Sequence, residues 1–211
     1  MVTRAELRTA LRRRLEDTSG TPLWDDAMLN DALAGAIGRY GARFPPEAVA
    51  TANVTAGATS VPVVTAGIAG ERIARVLDET GAIVPRMGEA AGPVGSAPGA
   101  AGLEQAWRWW DGELRLQRPA AATGTWRIEY RGQRSVPSDD GSAVDVLPGD
   151  EEIVLTLAAA VALRRRAVED GKRGAYGRGN SPALALAERA EAEAERLMAR
   201  RARRATGGWL M

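Results

Sequence analysis

The side chains that could do chemistry in this chain form a restricted set, because its 211 residues include no cysteine and no histidine. That removes disulfides, thiolate and imidazole metal ligands, and the Cys-His and Ser-His-Asp catalytic arrangements, leaving carboxylates, hydroxyls, arginine and a single lysine, Lys172. Carboxylate pairs occur at Asp25/Asp26, Asp139/Asp140 and Glu151/Glu152. Adjacent residues on a helix point to different faces, and all three pairs fall at helix starts or in a linker, where capping accounts for them. Trp107, Trp109 and Trp110 near Asp111 and Glu113 could form a sugar platform with an acid pair, but a hairpin core and its turn account for the same residues. No enzyme activity, catalytic residue, metal or cofactor is expected.

Cations and anions nearly cancel, with 28 basic and 27 acidic residues. A polycationic nucleic-acid binder is excluded as a description of the whole chain, so any grip on phosphate must be local. Local candidates are Arg164 to Arg166 with Lys172, Arg173 and Arg178, and the run Arg200, Arg201, Arg203, Arg204. The glycine-rich stretch GKRGAYGRGN lacks the G-x-x-x-x-G-K-[ST] spacing of a phosphate-binding loop and reads as a connection. The opening residues lack the apolar core of a signal peptide and no run approaches a membrane span, so synthesis in the cytoplasm is expected.

The elements that must position these residues are legible from periodicity. Thr3 and Glu6 have capping-box spacing and Leu7, Leu11 and Leu15 recur every fourth residue, which predicts a helix over 3–16. After the loop DTSGTP, Asp25 should cap a second helix whose buried stripe is Leu29, Leu33, Ile37 and Tyr40. Trp24, directly before that cap, can fold back on Met28 as a hydrophobic staple, making Trp24 and Asp25 structural anchors.

From about residue 48 to 135 the pattern turns to alternation, β-branched residues, glycine and proline. Asp111-Gly112 predicts a two-residue hairpin turn pairing Trp110 with Glu113, Trp109 with Leu114, Arg108 with Arg115 and Trp107 with Leu116. TWRIEYR reads as a neighbouring strand, RIARVLDETGAIVPRM as a hairpin through Glu79 to Gly81, and NVTAGATSVPVV as a weaker hairpin. GEAAGPVGSAPGAAG, low in bulk, is expected to be a long, poorly ordered loop. Helical character then returns: EEIVLTLAAAVALRRRAVED is apolar nearly all round and should be the central helix of a bundle. Ser181 should cap a last helix, with Pro182 in its first turn and Leu184, Ala187, Ala194, Leu197 and Met198 as its stripe.

The expected fold is therefore α+β: a discontinuous bundle of about four helices with an inserted antiparallel β domain and an extended C-terminal tail. The expected divisions are a helical hairpin over 1–47, the β domain over 48–135, completing helices over 136–205 and a tail over 206–211. Behind a Gly-Gly hinge, Trp209, Leu210 and Met211 either fold back on the bundle or dock into another chain; the arginine run before them, which keeps the helix end solvated, favours docking.

The order of these parts resembles the head-to-tail adaptor, or connector, proteins of tailed bacteriophages, in which an early D-x-x-G-x-x-x-W precedes an acidic helix start. Here those positions are Asp17, Gly20 and Trp24, with Asp25 and Asp26 after them. The likeness covers 3–40 and 147–204; the β insertion departs from shorter, nearly all-helical members. It implies a structural virion protein at the neck, assembled in the host cytoplasm as a homo-oligomeric ring, often dodecameric, beneath the portal protein. Such a ring extends the channel for double-stranded DNA, without sequence-specific binding, and offers a surface to neck or tail proteins. Since the C-terminal segment of these adaptors commonly reaches into the portal, the resemblance assigns Arg200, Arg201, Arg203, Arg204, Trp209, Leu210 and Met211 to portal docking. The alternative is a nucleic-acid-binding module built on the arginine-rich helix ends and the basic glycine-rich loop.

Overall fold

The computed structural model describes residues 2–65, 68–88, 105–174 and 181–207. Among them are four helices and seven strands in antiparallel sheets, an α+β fold. The chain forms two compact units, one of Met1–Pro45 with Gln133–Met211 and one of Pro46–Gly132.

The first unit holds the four α-helices. Helix α1 (Arg4–Arg14) starts on a complete capping box: the Glu6 amide donates to Thr3 Oγ1 at 3.2 Å and the Thr3 amide donates to Glu6 Oε2 at 2.8 Å. Leu7 and Leu11 are buried, and the chain leaves the helix through Glu16 at φ +55°. Helix α2 (Asp26–Arg43) is capped by Asp25, whose Oδ1 accepts from the Met28 amide at 2.7 Å. Its buried stripe includes Leu29, Leu33, Ile37 and Tyr40. Helix α3 (Glu151–Lys172) is buried on most sides from Ile153 to Ala162 and packs against α1, α2 and the last helix, so it is central as its composition predicts. Burying each large aliphatic side chain here contributes roughly 1.5–3 kcal/mol before the ordering entropy is counted. The run of small residues Ala158, Ala159, Ala160 and Ala162 lets neighbouring helices approach closely.

Helix α4 (Pro182–Gly207) has a narrower seam, with Ala187, Ala194 and Met198 buried. Three details differ from expectation. Lys172 is helical, in the last turn of α3, where it pairs with Glu169 rather than belonging to a loop. The Ser181 hydroxyl finds no hydrogen-bond partner among the described residues; Ser181 serves the helix start through its carbonyl, which accepts from the Leu184 amide at 3.0 Å. Finally, α4 runs through Gly207, so the first glycine of the expected hinge continues the helix.

The second unit places two sheets around one core. Strands β1 (Glu47–Val54), β3 (Ile73–Leu77), β4 (Ile83–Val84) and β7 (Gly124–Arg131) form one, in the order β1-β7-β3-β4. Strands β2 (Ser60–Pro62), β5 (Trp107–Trp110) and β6 (Glu113–Leu116) form the other, in the order β2-β6-β5. The β5–β6 register is the one that the Asp111-Gly112 turn predicts, with both residues at positive φ, +48° and +79°. The hairpin through Glu79 to Gly81 is also present, as β3 and β4. Two pairings are corrected: β7 is not a ladder neighbour of the tryptophan hairpin, and β1 and β2 do not pair but belong to different sheets. Alternation reports which residues face a core, and Trp126 and Ile128 face the same core as Trp107 and Leu114. It does not distinguish strands lying edge to edge from strands facing each other across that core. Most of the expected loop GEAAGPVGSAPGAAG lies outside the described residues.

Gly70 is fixed by packing. A Cβ on Gly70 would stand 2.5 Å from Cβ and Cγ of Trp109, so the indole rests directly on the Gly70 backbone. Gly70→Ala is expected to destabilise the protein by about 1–3 kcal/mol through overpacking. Gly20→Ala, where nothing lies within 4 Å of the added carbon, should stay within about 0.5 kcal/mol of the parent. Urea unfolding of both variants measures the difference.

Candidate functional site

The motif loop between α1 and α2 is closed by one carboxylate. Asp17 is 4% exposed, and its Oδ1 accepts from the Leu23 amide at 2.7 Å while Oδ2 accepts from the Trp24 amide at 3.3 Å. Arg12 closes the ring from the other side: Nη1 lies 3.0 Å from Asp17 Oδ2 and 2.8 Å from the Trp24 carbonyl, and Nη2 donates to Asp26 Oδ1 at 2.6 Å. Trp24 is buried in the helical core, with Met28 packed against the same core. The Asp and Trp of the D-x-x-G-x-x-x-W pattern thus have direct physical reasons. Gly20 has neither a positive φ nor a close neighbour, and nothing in the structure requires glycine there.

A second clasp ties the returning chain to the start of α1. Asp140 accepts from Arg4 Nε at 2.7 Å and from Arg8 Nη1 and Nη2 at 2.9 and 2.8 Å, and the Asp140 carbonyl accepts from the Ala5 amide. These guanidinium hydrogen bonds hold the Asp140 carboxyl down at about 2.

The third feature is a buried polar line that the sequence does not announce. Tyr40 in the last turns of α2 is fully buried, and its hydroxyl donates to Asp150 Oδ2 at 2.6 Å. Burial, and then the Asp150 carboxylate beside it, push the phenol well above its ordinary range. Arg201 Nε, from α4, donates to both carboxylate oxygens of Asp150 at 3.0 and 3.1 Å. On the other side, the Arg134 guanidinium lies 5.4 Å over the Tyr40 ring, donates to the Phe44 carbonyl at 2.7 Å and pairs with Asp145. Tyr40 reads in the sequence as one more apolar stripe position and Asp150 as a lead-in to α3. The available signal was the phenol itself, since a buried hydroxyl requires a partner.

The docking residues named from the sequence divide accordingly. Arg201 is engaged within the chain and half-buried, seven residues after the buried Ala194. Arg200 points outward, its side chain 57% exposed and 3.6 Å from Glu193. Arg203 is exposed, Arg204 belongs to α4 by its backbone, and Trp209, Leu210 and Met211 lie outside the described residues. Between the start of α3 and α4 runs a groove of about 220 Å³, with Ile153 and Leu197 offering apolar surface, Gly149, Glu152 and Arg200 at its rim, and the Asp150–Arg201 pair beside them.

The alternative sites are not assembled in the same way. Asp111 forms the hairpin turn and Glu113 pairs with Arg115. Arg164, Arg165, Arg166 and Lys172 are each ion-paired within the chain, to Glu191, Asp31, Asp170 and Glu169. Arg178 lies outside the described residues.

A family model described as SU10 adaptor protein matches residues 2–209 of the chain. No curated protein matches it.

Two measurements check the clasps. Asp150→Ala is expected to cost about 3 kcal/mol, since it strands Arg201 and the buried Tyr40 hydroxyl, whereas Glu193→Ala on the surface of α4 should cost under about 1 kcal/mol; urea unfolding compares them. For Asp140 the folded value, about 2, is below the ordinary 3.8. Its contribution to stability is therefore complete above the ordinary value and lost as pH falls through about 2. A carboxyl ¹³C titration should find Asp140 still ionised at about pH 3, and shifted back toward the ordinary range in an Arg4→Gln, Arg8→Gln double variant.

Proposed function

Because this chain belongs to the SU10 adaptor protein family, and is thus an adaptor protein of a bacteriophage, we propose that it works as a head-to-tail adaptor. It assembles as a ring under the portal, extends the DNA channel and bridges the portal to neck or tail proteins. The observation that carries this reading is the span of the family match, 2–209, which takes in both compact units. An adaptor family is structural, so the work of the chain is assembly rather than turnover. No helix among the described residues is long and apolar enough to cross a membrane.

The geometry supplies a physical basis for that assembly. Asp150 holds Arg201 and so fixes the C-terminal turns of α4, while Arg200, Arg203, Arg204 and the terminal Trp209, Leu210 and Met211 are the docking set. In a dodecamer each such contact is repeated around the symmetry axis, so a weak single contact becomes a stable joint. The net charge of +1 suits a conduit, because a strongly basic lumen would retain the DNA that must slide past. The intrachain pairing of Arg164, Arg165, Arg166 and Lys172 disfavours the nucleic-acid-binding alternative.

Full-length protein and a truncation ending at Thr206, each mixed with the cognate portal and weighed by native mass spectrometry, test this reading. Full-length chains are expected to load the portal as a ring, and the truncation to load it at least about tenfold more weakly. Equal loading would remove the tail from the docking set, and no loading of either would overturn the adaptor reading.

A further inference from the structure

We propose that neighbouring copies of this chain join head to tail through Leu23, which one copy inserts into the groove between the start of α3 and α4 of the next. The contact rests on the ring reading above and names the surfaces that would build the ring.

Leu23 is 60% exposed. A lone exposed leucine is ordinary, but this one is held out on a fixed backbone. Its amide is pinned to Asp17 Oδ1 at 2.7 Å, and the next residue, Trp24, is anchored in the core. Little conformational freedom remains to be lost when it binds. Two residues on, Asp25 is exposed and supplies a negative charge beside the apolar tip.

The groove has the complementary character. Ile153 and Leu197 give it an apolar floor, and Arg200 stands at its rim. Arg200 is incompletely neutralised: it shares the Glu193 carboxylate with Arg196, at long distances of 3.6 and 3.4 Å. Of the two acids lining it, Glu152 is paired with Arg14 and Asp150 with Arg201. An apolar side chain with a carboxylate beside it fits this surface.

Leu23 precedes the first turn of α2, whereas Tyr40 in the last turns of that helix bonds Asp150 beside the groove, so the two surfaces are different patches of one copy. A contact between different patches repeats from copy to copy and closes into a ring when its rotation permits.

Leu23→Asp and Arg200→Glu in the full-length chain test the contact by sedimentation velocity and native mass spectrometry; with portal only the Leu23→Asp variant and the mixture are read, because Arg200 also belongs to the proposed portal-docking set. Unchanged thermal unfolding establishes that both variants fold, with Leu23→Ser and Arg200→Gln as substitutes should either fail. Each single variant is expected to assemble at least about tenfold more weakly than the parent. A 1:1 mixture of the two should form heterodimers that grow no further, because one intact Leu23 and one intact groove remain between them. Assembly of both variants at parental strength, or a mixture that behaves as the separate variants do, overturns the contact while leaving the ring reading intact. A parent chain that never assembles, even on portal, overturns the ring reading and the contact with it.

Discussion

Asp150 is the group on which the helical unit turns. Burying a carboxylate costs several kcal/mol in lost hydration, and the structure offsets this with the Tyr40 hydroxyl, the Arg201 guanidinium and a position at the positive end of α3. The result joins three segments far apart in sequence, since Tyr40 lies 110 residues from Asp150 and Arg201 lies 51 residues from it. Behind Tyr40, Arg134 bonds the Phe44 carbonyl and Asp145, so the residues that leave and re-enter this unit are tied to the same point. Apolar packing alone would let α4, with its narrow seam of Ala187, Ala194 and Met198, shift along α3. A directional polar anchor near its C-terminal end fixes one register.

Pairing of this kind recurs through an arginine-rich but nearly neutral chain. Many arginines are structural: Arg4 and Arg8 hold Asp140, Arg12 holds Asp17 and Asp26, and Arg39 reaches Glu191 and Glu195. The outward-facing Arg200 and its neighbours on α4 are then a localised feature on a balanced background. In the proposed adaptor, that localisation separates docking at the end of α4 from passage of DNA through the channel.

Local features of the fold were legible in the sequence because their causes are local. The Thr3–Glu6 box, the Asp25 cap and the Asp111-Gly112 turn each act over two to four residues, and the structure shows each of them in place. Trp24 could be read as a core anchor from its position before a cap, although the Asp17 carboxylate that pins its amide could not. What escaped was non-local. Sheet membership of β1, β2 and β7 depends on which strands face each other across a core, and burial alternation is blind to that. Arg201 reads as solvated because an arginine seven residues after Ala194 gives no sign of its partner Asp150, 51 residues away. The candidate site shares this character: Ile153, Leu197 and Arg200 line one groove but come from two different helices, with Ile153 far from the other two in the chain.

As proposed, this chain forms a ring seated between portal and tail. A cryo-electron-microscopy reconstruction of the full-length chain assembled on its portal shows whether it does. The expected result is a closed ring on the tail-facing side of the portal, coaxial with its channel, with the C-terminal end of α4 directed into the portal. A chain bound singly, bound outside the channel axis, or oriented with the end of α4 away from the portal would contradict it.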